Sequence, residues 1–280
     1  MEKLTFQSKE EYVCPVCDTV FYREELLSGG GRLIAGQLTD ELHRLYQPSA
    51  KYGDVYPLVY QATVCPQCWF ASMDKDFNLL PKNACFAVSE DEDDRKDAVS
   101  LIFPNVNFYE NRDLISGAAS YYLVLRCYDF YGPKFAPTIK QGIASLRAAW
   151  LFEELHQKQP GKNYDWLATL FKKKAQFFYD KAVAYEQSGE ESLSIARNLG
   201  PDTDKNYGYE GVLYLSGILK MKYGCAGSSE QRNESLEATK RTIAKMFGLG
   251  KSSKNKPGPL LELAKALYEK IGRELNETDD

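Results

Sequence analysis

Two short cysteine units constrain this chain more than anything else in it. Cys14-Pro15-Val16-Cys17 and Cys65-Pro66-Gln67-Cys68 share the form C-P-x-C, with 47 residues between Cys17 and Cys65. A C-x2-C turn sets two sulfurs on one side of a tight loop, close to two corners of a tetrahedron. Two such turns facing each other make a closed four-thiolate site for zinc, with Zn–S bonds near ~2.3 Å. The proline in each turn stiffens it and removes one backbone donor. Two other readings compete. A redox dithiol usually follows a strand and opens a helix in a βαβ unit, a context missing here. Unligated buried thiols are the plainer alternative. On the zinc reading, Cys14, Cys17, Cys65 and Cys68 hold one structural Zn2+. Four thiolates leave no open coordination position for water, so no Lewis-acid chemistry is expected there.

The remaining cysteines, Cys85, Cys127 and Cys225, read as buried apolar residues. Seven cysteines in a chain opening MEKLTFQSKEEY, with no apolar stretch of a secretory signal, do not make a disulfide framework. No run of about 18 apolar residues occurs, so no membrane helix is expected. A cytoplasmic location follows as the expectation. A net charge of −4 argues against wholesale nucleic-acid binding. Only two histidines are present, His43 and His156, which leaves little room for histidine-based catalysis.

The first 80 residues are rich in glycine, aromatic residues and cysteine. Val55–Val64 is β-branched and aromatic and runs straight into Cys65, while Val20–Tyr22 follows the first unit as a hairpin strand would. The segment Thr39–Tyr46 predicts a short helix with Thr39 or Asp40 as N-cap. Ser89–Asp97 has no apolar residue apart from its aliphatic stems and reads as a solvated linker or the start of a helix. From about Leu114 onward the spacing is helical, in at least six segments: Ala118–Phe130, Pro137–Leu155, Tyr164–Tyr185, Tyr207–Tyr223, Glu230–Phe247 and Pro259–Leu275. Gly200, Gly224 and Gly248 sit where C-caps are expected. Ala175, Tyr179 and Ala182 follow the A-x3-Y-x2-A spacing of a tetratricopeptide second helix, although no strict 34-residue period survives. An irregular helical bundle is the alternative.

The fold expected is therefore mostly α: a small zinc-ribbon-like α+β module with an acidic linker at 1–97, then an all-α, tetratricopeptide-like domain at 98–280. The N-terminal third resembles the bacterial family called domain of unknown function 2225. The residues that carry the resemblance are the two CPxC units, Phe21, Tyr56-Pro57, Tyr60, Phe70-Ala71 and Asp76-Phe77. It covers residues 12–80 well and the rest loosely, and it implies a metal-binding N-terminus followed by helices, with no established activity. Trp69 stands where that family tends to have glycine after the second unit, so it must take another backbone geometry or cover the site with its ring. The family's basic strand is thin here, with Arg23 and Arg32 only.

The function expected is that of a non-enzymatic, zinc-binding scaffold whose helical groove holds a protein partner. Tyr121, Arg126, Tyr128 and Arg147 are the candidate anchors, because they lie on the earliest helices among apolar neighbours. Two rivals stand beside it: a nucleic-acid-binding regulator using the ribbon and Lys-rich loops such as Lys251–Lys256, and an enzyme with a carboxylate and tyrosine pocket. Glu153, Glu154 and His156 read as a solvated helix end. The Gly248–Ser252 stretch reads as a helix end followed by a loop, since the glycine that a phosphate-binding loop needs is replaced by Lys245.

Overall fold

Each cysteine unit closes a β-hairpin. In the computed structural model, which describes residues 3–27, 29–224, 227–247 and 258–277, strand β1 (Thr5–Val13) pairs antiparallel with β2 (Val20–Leu26). The Val13↔Val20 pair brackets the first unit. Strands β5 (Ala62–Val64) and β6 (Ala71–Met73) do the same for the second, through Val64↔Ala71. The strand that feeds Cys65 is shorter than the run Val55–Val64, because Pro57 starts a single 3-10 turn over Pro57–Tyr60. Proline fixes φ in the helical range and suits that first position.

Between the two units lies a third hairpin, β3 (Ile34–Leu38) with β4 (Arg44–Gln47). The helix expected over Thr39–Tyr46 is absent. Thr39 instead organises a tight turn: its hydroxyl accepts from His43 N at 3.1 Å, and its main chain pairs with His43 and Leu42. Leu42 takes a left-handed φ of 61° and is fully buried. The capping chemistry in the sequence is real, but it closes a hairpin.

The charged run folds as well. Helices α1 (Lys82–Glu90) and α2 (Glu92–Ser100) meet at Asp91, and residue 97 lies inside α2. Then come α3 (Leu114–Cys127), α4 (Pro137–Lys158), α5 (Tyr164–Ser188), α6 (Gly208–Tyr223), α7 (Ser229–Phe247) and α8 (Gly258–Glu277). All six helical segments read from apolar spacing are present. Asp113 opens α3 with a capping box shared with Ser116. Pro137 occupies the first turn of α4, and Gly189 ends α5 in the left-handed conformation. Gly224 follows α6 as expected, whereas Gly200 sits in the loop before α6; Gly248 lies outside the described residues.

From α3 onward each helix packs on the next in sequence. The α4–α5 contact is close: a Cβ at Gly142 would come within 3.0 Å of the Tyr179 ring. Helix α3 carries the join to the N-terminal part, with Gly117 against Val59 and the Tyr121 hydroxyl donating to Leu58 O at 2.8 Å. One continuous buried cluster runs from Tyr12 and Cys14 through α3 and α4 to Ile271.

Candidate metal centre

The two knuckles have the same local geometry. In the first, Cys14 N donates to Thr19 O at 3.0 Å and Asp18 N donates to Cys14 O at 3.0 Å. In the second, Cys65 N donates to Phe70 O at 2.9 Å and Trp69 N donates to Cys65 O at 3.0 Å. The residue after each second cysteine is left-handed, Asp18 at φ 60° and Trp69 at φ 58°. Trp69 therefore keeps the conformation that glycine would favour, at a cost of roughly 1–2 kcal/mol for a side-chain-bearing residue. Its ring packs edge-on against Phe108, with centroids 5.3 Å apart.

The hairpins bring all four thiols together. The Sγ atoms of Cys14, Cys17, Cys65 and Cys68 all lie within 4.8 Å of one another. Cys14 and Cys68 are 3.6 Å apart, as are Cys17 and Cys65. A tetrahedral ion with bonds of ~2.3 Å needs sulfurs about 3.8 Å apart, whereas a disulfide needs about 2.05 Å. The donor set thus fits a metal ion and no disulfide. Cys14, Cys65 and Cys68 are fully buried and Cys17 is partly so. Contacts with Cys14 and Cys68 lower the Cys65 thiol, the contact with Cys65 raises Cys14, and Cys14 and Cys65 together raise Cys68. Metal ligation requires thiolates, so a bound dication would favour the ionised form of its ligands.

An aromatic group supports the site from below. Tyr12, Phe21, Phe70 and Phe77 form a chain of ring contacts with centroids 5.1–6.0 Å apart. Three of these, Phe21, Phe70 and Phe77, are among the residues that carry the family resemblance. The residue that sequence reasoning missed is Arg95. It is fully buried, and its Nε and Nη2 both donate to Cys68 O, at 3.0 and 2.6 Å, while Nη1 donates to Val88 O at 2.6 Å. Its only signal in the sequence was a lone arginine in an acidic run.

The four candidate partner anchors do not form a surface. Tyr121 and Tyr128 are fully buried, and the Tyr128 hydroxyl donates to Asp76 at 2.5 Å. Arg147 is 6% exposed and donates to Pro201 O at 2.6 Å. Arg126 is partly exposed and pairs with Asp91 at 2.8 Å. Apolar neighbours on early helices marked core positions, and the polar tips of these side chains are satisfied internally. Arg23, on β2, and Arg32, in the turn before β3, are also engaged, Arg23 with Asp74 and Tyr60 O, Arg32 with Lys3 O. The Lys251–Lys256 loop lies outside the described residues, as does Cys225; Cys127 is buried and Cys85 partly so.

What occupies the helical array is the chain's own hairpin turn. Glu41, 4% exposed, sits 3.1 Å from Lys172 of α5 and 3.1 Å from Lys222 of α6, and accepts from Tyr223 at 2.8 Å and from Trp150 Nε1 at 3.1 Å. The Tyr214 hydroxyl donates to Asp40 O at 2.7 Å. Next to it, the His43 ring stacks on Trp150 at 4.2 Å, and its Nδ1 lies 2.5 Å from Asp202. His43, Asp202, Tyr56 and Glu154 line a pocket of about 290 Å3, and burial raises the Glu154 carboxyl there. Among the described residues, no helix is long and apolar enough to cross a membrane.

The family model described as "Uncharacterized protein conserved in bacteria (DUF2225)" matches residues 7–271. A protein of Borreliella burgdorferi (strain B31), described as an uncharacterized protein, is 42% identical over 276 residues, covering 98% of this chain and 99% of its own length. No solved structure matches the chain.

Proposed function

The chain belongs to the bacterial family DUF2225, and from that premise we propose that it is a zinc-stabilised, non-enzymatic scaffold protein. The observation that carries the metal half is the closed set of four sulfurs within 4.8 Å of one another. Thiolates are soft ligands, and a tetrahedral S4 set of this size suits zinc. With all four positions filled by protein, the ion holds the two hairpins together and presents nothing to a substrate. Free thiols of this kind persist in a reducing compartment, which agrees with a cytoplasmic location.

The scaffold half rests on how the helices are used. We read α3–α8 as a tetratricopeptide-like array, from its sequential packing and the spacing of Ala175, Tyr179 and Ala182. Such arrays hold extended or turn-like segments through anchor contacts. Here the 39–43 turn is held in that manner, a carboxylate between two lysines with an indole and a phenol beside it. A protein partner would use array surface that the turn leaves open.

The test combines metal and partner on one preparation. Protein isolated without chelator should contain about one zinc per chain, and a partner recovered with it should be lost with Cys65→Ser at matched protein abundance. Metal content near zero removes the zinc reading; identical recovery with the metal-free variant removes the link between the site and the scaffold.

A further inference from the structure

A second concave feature opens where the turn Asp74–Leu79, which follows β6, meets α4 and the segment before α6. This cleft, of about 390 Å3, is lined by five cationic side chains, Lys75, Lys134, Lys140, Arg147 and Arg197, against two carboxylates, Asp74 and Asp76. The chain as a whole carries a net charge of −4, so a formal excess of three positive charges in one cleft runs against its average. Both carboxylates are already committed. Asp74 pairs with Arg23 and accepts from the Tyr12 hydroxyl at 2.7 Å. Asp76 pairs with Lys140 at 2.5 Å and accepts from Tyr128. Lys75, Lys134, Arg147 and Arg197 have no carboxylate partner among the described residues.

Arg147 is the decisive group, because it is buried. Its Nε donates to Pro201 O at 2.6 Å, and its Nη2 to Gly200 O at 3.3 Å and Asp202 O at 3.4 Å. Its Nη1 lies 3.9 Å from the Met73 sulfur, and the Tyr121 hydroxyl is its remaining neighbour. Every direct partner is neutral. The Asp202 carboxylate is turned away, toward His43 Nδ1 and Arg44 N. A guanidinium does not shed its proton in a protein, so it keeps its full charge, and a buried charge without a counter-ion is costly. An arriving anion reduces that cost and can accept from Nη1, the guanidinium nitrogen that is not bonded to a carbonyl. Met73, Leu79, Phe135, Ile143 and Ile195 supply the apolar part of the lining, beside the neutral amides of Gln61 and Asn198, with Leu79 and Ile195 more than 40% exposed.

We propose that this cleft binds a small organic phosphate monoester, its phosphate facing Arg147, Lys134 and Arg197 and its apolar body against Leu79 and Ile195. A phosphate monoester near pH 7 carries about −1.5 to −2, which four unpaired cations match better than a single carboxylate would. The proposal depends neither on the metal nor on a protein partner.

Phenyl phosphate is the probe, titrated calorimetrically into the intact protein beside inorganic phosphate and benzoate. Phenyl phosphate should bind saturably and more tightly than either. The double change Lys134→Glu with Arg197→Glu should weaken it by about tenfold or more, since reversing two cations places like charges against the ligand. Lys173→Glu, an equal change of sign on the exposed face of α5, should leave it within about twofold. Arg147→Gln should abolish binding; if that variant does not fold, the Lys134/Arg197 pair decides alone, with its melting temperature and metal content as the check on folding. Absence of saturable binding by phenyl phosphate, or equal loss with Lys173→Glu, overturns the site. Tighter binding of benzoate overturns the assignment to phosphate, and equal affinity for inorganic phosphate overturns the role of the apolar wall.

Discussion

Arg95 sets two guanidinium nitrogens on the carbonyl oxygen of Cys68, at 2.6 and 3.0 Å. The second knuckle is thus fastened from outside, by a side chain from a charged run that read as a solvated linker or the start of a helix. Arg95→Ala should leave the carbonyls of Cys68 and Val88 buried without these donors, at a cost on the order of 3 kcal/mol. The expected result is a lower denaturant midpoint and faster metal loss to a chelator. Retention of both at wild-type values would mean that the knuckle stands without this support.

Burial alone would raise the Glu41 carboxyl, but Lys172 and Lys222, with Tyr223 and Trp150, bring it down to about 2. A carboxyl that ionises near 4.5 in the unfolded chain and near 2 in the folded one contributes stability that is complete above the unfolded value. That contribution is lost as pH falls from there through the folded value. At about 1.4 kcal/mol per unit, it is on the order of 3 kcal/mol. Glu41→Gln should therefore be destabilised near pH 7, and its difference from wild type should shrink between about pH 5 and pH 3 in urea titrations. A difference that stays constant with pH would assign the loss to packing instead of charge.

Trp69 separates backbone strain from shielding. Trp69→Gly relieves the left-handed conformation, worth roughly 1–2 kcal/mol, and loses the edge contact with Phe108 together with the packing of a half-buried indole. These effects oppose each other, so the unfolding free energy should change by less than about 1 kcal/mol. The rate of metal release to a chelator should stay within about twofold of wild type. Release that becomes many-fold faster would show that the indole covers the site.

Chelation should separate the two parts of the chain. The sheets of the N-terminal part have two strands each, so ligation would supply much of their stability, whereas α4, α5 and α6 bury apolar faces against one another. After metal removal, limited proteolysis should cut within residues 1–97 and most of the helical circular dichroism should remain. A joint collapse of both would show that the chain folds as one unit.

The four-cysteine cluster was legible because its members come in local pairs, and each C-x2-C turn sets its two sulfurs by itself. The helices were legible because α3–α8 repeat their apolar residues every three or four positions. What stayed hidden depends on distant partners. Thr39 and Asp40 carry helix-capping chemistry, yet the buried Leu42 and Glu41 between them and His43 are wanted by α4, α5 and α6 as a turn. Arg95 sits among acidic residues, and nothing nearby in sequence says that its target is a carbonyl 27 positions earlier. Tyr121, Tyr128 and Arg147 show the reverse error. Amphipathic tips among apolar neighbours suggested anchors for a partner, but each tip has an internal acceptor.

The contact between Glu41 and the helices has a consequence for how the chain is made. Its partners lie 131 positions further on at Lys172, 181 at Lys222 and 182 at Tyr223. Synthesis proceeds from the N-terminus at about 5–20 residues per second, so these partners reach solvent on the order of ten seconds or more after the hairpin does. During that interval the acidic turn has no seat, and the part of the protein made first can reach its final state only near the end of translation. For this one loop the seat is synthesised after the segment that fills it, so the contact waits until α6 has been made.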